Sequence, residues 1–283
     1  MLAAAKLNLY LHVVGRRADG YHLLDTLVVF ADVGDRVTVS PARGLSVAVT
    51  GPFGPELAAQ DPAQNLVRRA AELLAHELGR PADAHVVLEK NLPIASGIGG
   101  GSSDAAATLK SLTALWKAPL APPRLAALGA VLGADVPVCL AGYAAFVGGI
   151  GELVTPAPKL PETHVVLVNP GRPLPTSEVY KARHGPFGEP ARFTDPPDNA
   201  AALATVLKQR RNDLTDAART IMPEIDDVLT ALAGCEKALL ARMSGSGATC
   251  FALFAEAAAA HRAAAGLRDA HRGWWVAEGR LLT

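Results

Sequence analysis

The residues best suited to chemistry lie in one stretch, Pro93-Ile94-Ala95-Ser96-Gly97-Ile98-Gly99-Gly100-Gly101-Ser102-Ser103-Asp104, which runs into Ala105-Ala106-Ala107-Thr108-Leu109. Four glycines in five positions remove side-chain bulk and permit positive φ, so successive N–H groups can curl round an anion. A helix opening at the end of such a loop adds unbonded N–H donors and a partial positive charge at the same place. Phosphate is the guest that this combination favours. A plain helix start, with Ser103 as cap and Asp104 in the first turn, explains the last residues of the stretch but not its glycines.

The familiar phosphate loops do not fit. A Walker loop needs Gly-x-x-x-x-Gly-Lys-Ser/Thr, and no lysine precedes Ser102 or Ser103. The dinucleotide fingerprint Gly-x-Gly-x-x-Gly would place its last glycine on Ser102. Protein-kinase HRD and DFG triplets are missing, and neither Ser102 nor Ser246 has the flanking glycines of a nucleophile elbow.

Two further segments accompany the loop, Ala5-Lys6-Leu7-Asn8-Leu9-Tyr10-Leu11 and Ser244-Gly245-Ser246-Gly247-Ala248-Thr249. In order and spacing the three resemble the motifs of the GHMP small-molecule kinase superfamily. Gly15–His22, Gly133-Ala134-Asp135-Val136-Pro137 and Pro175–Lys181 resemble the signatures of one branch, whose substrate carries a cytidine diphosphate. The resemblance runs from residue 3 to about 255. It departs from the usual pattern at Ala5, where the family has proline, and at Ser96, where glycine or alanine is common. Rival readings are another superfamily member, acting on homoserine, mevalonate or a sugar, and a non-catalytic sensor on the same fold.

The resemblance implies ATP-dependent phosphorylation of a substrate hydroxyl with Mg²⁺, and Lys6 and Asp135 match the catalytic pair. Asp135 would accept the proton of the attacking alcohol, and Lys6 would keep that carboxylate ionised. Read without the family, Lys6 is an edge-strand gatekeeper and Asp135 a turn or cap residue. Pro93, Ile94, Ala95, Ser96, Gly97, Ile98, Gly99, Gly100, Gly101, Ser102 and Ser103 would wrap the ATP phosphates. The hydroxyl of Ser102 or Ser103 would reach phosphate or the metal's water. The metal ligands themselves stay unassigned. Asn65 and Lys90 match positions near the nucleoside. On the substrate side Tyr21 would stack on the cytosine, His22 bond its edge and Tyr180 close the stack. Asn8 and Thr176 would contact the rest of that substrate.

These groups need a scaffold. Extended segments are expected over 3–14, 22–40, 45–50, 86–88, 165–168, 238–242, 249–254 and 274–278. Helices are expected over 65–78, 103–116, 123–132, 198–208, 212–219, 223–233 and 255–269. Strands and helices mix without strict alternation, which reads as α+β in two lobes. The resemblance gives this as a two-lobed GHMP kinase fold, mixed sheets with helices, with the active site in the cleft between lobes. Prolines at 156, 158 and 161 suggest an N-terminal lobe over 1–155 and a C-terminal lobe over 156–283. The Pro- and Gly-dense stretch 184–197 reads as an exposed, mobile connection.

Bulk composition narrows the class further. Lys plus Arg total 27 and Asp plus Glu 27, which argues against a nucleic-acid surface but leaves room for a small polyanion held by local donors. Half of the chain is apolar, yet no run is pure enough to span a bilayer, so a cytoplasmic protein without membrane or nucleic-acid partners is expected, as monomer or homodimer. Cys139, Cys235 and Cys250 form no CxxC pair and read as reduced core residues.

Overall fold

The computed structural model describes residues 1–282. The chain forms two compact units, one from Met1–Ala5, Gly34–Ile94 and Gly99–Gly142, the other from Lys6–Val33, Ala95–Ile98 and the chain from Tyr143 onward. This is not the single division near residue 155 that the prolines suggest. The first two strands, β1 (Leu2–Arg16) and β2 (His22–Ser40), are long enough that each contributes to both units.

The first unit continues with β3 (Leu45–Thr50), α1 (Gly54–Ala58), α2 (Leu66–Glu77), β4 (Ala84–Glu89), α3 (Gly100–Leu115), α4 (Pro122–Leu132) and α5 (Val136–Ala141). β3 lies parallel to β4, with Val47 opposite Val86, and β4 runs antiparallel to the far half of β2, with Leu88 opposite Val37. Ala84, Val86 and Leu88 alternate inward along β4, the period-two pattern of a strand with one buried face. α2 begins because the Asn65 side chain accepts the N–H groups of Val67 and Arg68, a cap worth about 1 kcal/mol. Val67, Ala70, Ala71 and Leu74 then form its buried stripe.

α3 is buried continuously from Ser103 to Leu109. Its alanines allow close approach by α2, α4, α5 and β4. It starts three residues before the expected Ser103. Gly99 adopts a left-handed conformation (φ 63°) and caps the helix, and the Ser103 N–H already donates to the Gly99 carbonyl at 2.9 Å. Gly100 and Gly101 therefore form its first turn. The short helices α1 and α5 were not expected, since one or two turns carry no readable periodicity.

The second unit adds β5 (Ala145–Gly149), β6 (Leu153–Pro156), β7 (His164–Asn169), α6 (Thr176–Ala182), α7 (Ala200–Lys208), α8 (Thr215–Ile221), α9 (Glu224–Ala233), β8 (Leu240–Met243), β9 (Cys250–Phe254), α10 (Ala257–Ala270) and β10 (Trp275–Leu282). Its sheet order is β2-β10-β7-β9-β8, with β5 also on β2 and β6 on β5. Val166 of β7 faces Glu278 of β10 and Ala252 of β9 in antiparallel register. Val166, Val168, Ala252 and Phe254 pack with Leu214, Ile225, Val228, Leu232 and Leu267 from the helices to make the core.

The 184–197 stretch is tied down rather than loose. The Gly188 N–H donates to the Val13 carbonyl at 2.8 Å. The Ala191 N–H and Arg192 Nε donate to the buried Asp25 carboxylate at 2.8 and 2.7 Å. Phe193 packs edge-on to Phe146. A buried carboxylate is costly without donors, and Asp25 recruits them from this stretch. The three cysteines are free thiols. No described helix is long and apolar enough to cross a membrane.

Candidate active site

The glycine loop is held by its carbonyls. Ala95 O accepts from Leu174 N at 3.1 Å, Ser96 O from Thr249 N at 3.0 Å, and Ile98 O from Lys6 N at 2.9 Å. Gly97 O accepts from the Ser244 hydroxyl at 3.2 Å. Four successive carbonyls are thus spent on protein donors. The N–H groups are not: among the described residues, none from Gly97 to Ser102 donates to a protein acceptor. Gly97 (φ 75°) and Gly99 (φ 63°) lie in the left-handed region, which suits a backbone turned to present N–H groups. A Cβ on Gly97 would lie 2.5 Å from Gly247 O and 2.6 Å from Ser244 O, so the second glycine-rich motif seats the first.

The two serine hydroxyls differ. Ser103 Oγ donates to Ala4 O at 2.7 Å, with Cys139 Sγ 3.5 Å away. Ser102 Oγ makes no hydrogen bond to a described residue.

Lys6 is only 5% exposed, which excludes a solvated gatekeeper. Its Nζ donates to Asn8 Oδ1 at 3.2 Å. Asn8 Nδ2 donates to Thr26 Oγ1 at 2.8 Å, and the Thr26 hydroxyl gives its own proton to the Tyr10 carbonyl. That single proton decides the network. Because it goes to Tyr10, Thr26 must accept from Asn8, and the Asn8 oxygen must face Lys6. Asn8, expected on the substrate, is engaged by protein at both ends of its amide. Asp135 precedes α5 without its side chain capping that helix, against the cap reading.

The aromatic residues sit in the second unit. Gly20 (φ 93°) closes the turn before Tyr21, a residue that is 62% exposed. His22 stacks on Tyr180 with centroids 5.2 Å apart. Burial first, then the charges of Arg16 and Arg183, hold the His22 imidazole below its ordinary pKa, so the ring is neutral at pH 7. Thr176 opens α6 and shares a 2.9 Å hydrogen bond with Ser246 of the second glycine-rich motif.

Lys90 departs from expectation. It is 3% exposed, and its Nζ donates to Asp35 and, at 2.8 Å, to Asp104. Its side chain is a buried ion-pair partner rather than an exposed one. Asn65 spends its Oδ1 on the α2 cap, at the edge of a cavity of about 160 Å³ lined by Val47, Val49, Leu57, Pro62, Asn65 and Arg68.

Several functional neighbours escaped the sequence reading. Asn212 donates from Nδ2 to Met243 O at 2.9 Å and Gly245 O at 2.8 Å, bracing the second glycine-rich motif. Thr26, Asp25 and Asp35 act through contacts distant in sequence. Their only signal was a polar residue inside an apolar strand.

Comparison with known proteins agrees with these motifs. A profile for the GHMP kinases N terminal domain matches residues 65–143, and one for the GHMP kinases C terminal region matches 197–273. The chain is 52% identical, over 99% of its length and 91% of the relative's, to 4-diphosphocytidyl-2-C-methyl-D-erythritol kinase of Rhodospirillum rubrum. It is 54% identical to the protein of the same description from Paramagnetospirillum magneticum, over 99% of this chain and 98% of the other. A crystal structure of 4-(cytidine 5'-diphospho)-2C-methyl-D-erythritol kinase superposes with TM-score 0.80 at 36% identity, covering 100% of this chain and 99% of that one. Homoserine kinase from Cytophaga hutchinsonii shares the fold alone, at TM-score 0.71 and 17% identity over 98% of this chain and 92% of that one.

Proposed function

The chain belongs to the 4-diphosphocytidyl-2-C-methyl-D-erythritol kinases within the GHMP superfamily, and from that premise we propose the residues that carry its reaction. The enzyme transfers the γ-phosphoryl group of ATP to the 2-hydroxyl of 4-diphosphocytidyl-2-C-methyl-D-erythritol, a step of non-mevalonate isoprenoid precursor synthesis. The observation that carries the reading is the loop whose carbonyls from Ala95 to Ile98 are engaged while its N–H groups from Gly97 to Ser102 are not. Such donors suit the triphosphate. The cavity beside Asn65 would take the adenine base.

Asp135 accepts the proton of the attacking hydroxyl as the new O–P bond forms and the bond to the ADP oxygen breaks. Lys6 keeps that carboxylate charged and orients the alcohol. A base of low pKa suffices, because phosphoryl transfer has a loose transition state governed by positioning and charge neutralisation. Asn8 serves the reaction through Lys6, whose ammonium it holds. Among the described residues no cluster of three or more His, Cys, Asp or Glu forms a metal cage. That suits magnesium, which is usually held by one or two protein oxygens plus substrate phosphates. Ser102, with its hydroxyl unengaged, would help hold the ion, which supplies charge neutralisation.

Tyr21 stacks on the cytosine, and neutral His22, backed by Tyr180, bonds its edge. Stacking of this kind is worth about 1–3 kcal/mol by analogy with single-stranded nucleic acids. Arg16 and Arg183 add positive charge beside the pyrimidine site, fitting a substrate with a diphosphate. The test is ADP release with the cytidylated substrate and with homoserine. Turnover is expected on the first alone and lost in Asp135→Asn while ATP still binds. Turnover of homoserine alone would overturn the substrate reading, and an active Asp135→Asn variant the role of that residue.

A further inference from the structure

Lys90, Asp35 and Asp104 form a buried cluster that the reaction as described does not use. Their places in the chain are informative. Lys90 and the Asn91-Leu92 pair immediately precede the phosphate loop, and Asp104 lies in the first turns of α3, immediately after it. Asp35 comes from β2. Its Oδ1 accepts the N–H groups of Asn91 at 2.6 Å and Leu92 at 2.8 Å, pinning the entry to the loop. Lys90 Nζ donates both to Asp35 and to Asp104, linking entry and exit. The backbone of Lys90 is itself fixed, its N–H donating to Thr50 O at 2.8 Å. A Cβ on Gly100 would lie 3.0 Å from Lys90 Nζ, so the ammonium sits directly behind the first helical glycine.

We infer that Lys90, with Asp35 and Asp104, is a positioning clamp that sets the span of the phosphate loop, and so tunes the enzyme's grip on the triphosphate without touching nucleotide. The inference rests on the kinase reading above. Buried charges of this kind add little net stability. Their use lies in geometry, because an ammonium between two fixed carboxylates leaves the loop ends one low-energy separation. A loop released at one end must order itself anew each time phosphate binds, and that entropy is subtracted from affinity.

The test compares Lys90→Met with wild type in binding to adenosine and to the non-hydrolysable analogue adenylyl imidodiphosphate, alongside steady-state kinetics. Analogue affinity should fall at least tenfold and the KM for ATP rise in step. Adenosine affinity and the KM for the cytidylated substrate should stay within twofold. Asp35→Asn, which could not reach nucleotide under any reading, should reproduce the pattern. Equal weakening of adenosine and analogue would make Lys90 a nucleoside contact, and unchanged analogue binding would make the cluster merely structural. Either overturns the inference. If Lys90→Met does not fold, Asp35→Asn carries the same comparison. Failure of the kinase reading is separate, since it would show as wild type that does not phosphorylate the cytidylated substrate.

Discussion

Replacing Asp104 by asparagine should remove a pH dependence from the stability of the folded chain. Two carboxylates share one ammonium in a dry site, and Asp104 is 2% exposed with its Oδ1 lacking a hydrogen-bond partner among the described residues. Burial raises its pKa most; the pull of Lys90 works against this and the charge of Asp35 adds to it, leaving it at about 7 against an ordinary value of 3.8. Between those values the folded protein keeps a proton that the unfolded chain has released. Stability therefore falls as pH rises through this window, with a slope approaching about 1.4 kcal/mol per pH unit, and levels off above pH 7. Integrated from pH 5 to pH 8, this one group removes on the order of 2 kcal/mol.

Asparagine still offers an oxygen to Lys90 but carries no titrating proton. The loss of charge adds a pH-independent offset, so the slope isolates the linkage. Urea unfolding of both proteins at pH 5, 6, 7 and 8 gives the difference directly, because titrating groups outside the Lys90, Asp35 and Asp104 cluster cancel. The variant should gain on the order of 2 kcal/mol relative to wild type across that range. A difference that stays flat with pH would refute the proton-retaining carboxyl, and one that runs the other way would mean that Lys90 outweighs burial.

Other consequences follow from single contacts. Gly97→Ala meets two carbonyl oxygens at 2.5 and 2.6 Å in a left-handed conformation, so thermal unfolding should show a loss of about 3 kcal/mol or more. Gly101→Ala, which approaches only Leu66 Cδ1 at 3.3 Å, should cost less than about 1 kcal/mol. Thr26→Val removes the hydroxyl that orients Asn8. Steady-state assays should show kcat reduced about tenfold, or about 1.4 kcal/mol, with both KM values within twofold, whereas a rise in KM for the cytidylated substrate alone would place Asn8 on that substrate. Asp25→Ala releases Ala191 and Arg192, and limited proteolysis should then cut within 184–197, where wild type resists.

Much of this protein was determined locally. The glycine loop, the strand carrying Lys6 and the segment carrying Tyr21 and His22 could be read because backbone freedom, alternation and turn chemistry are properties of neighbouring residues. The long helices and most strands were legible for the same reason, since a stripe such as Val67-Ala70-Ala71-Leu74 states its own period. What tertiary structure decided were the partners. Lys90 was matched to a position near the nucleoside, and nothing in its neighbours announced that Asp35, fifty-five residues away, and Asp104 would close on it. Asn8 looked substrate-facing until the Thr26 hydroxyl turned its oxygen toward Lys6. Ser102 and Ser103 were equivalent until the Ala4 carbonyl claimed one of them. The two-unit division also needed coordinates, because strands that serve both units leave no break in composition. Propensity and periodicity act over a few residues, whereas a buried polar group takes whichever partner the fold brings within 3 Å or so, and that choice is written nowhere in the local sequence.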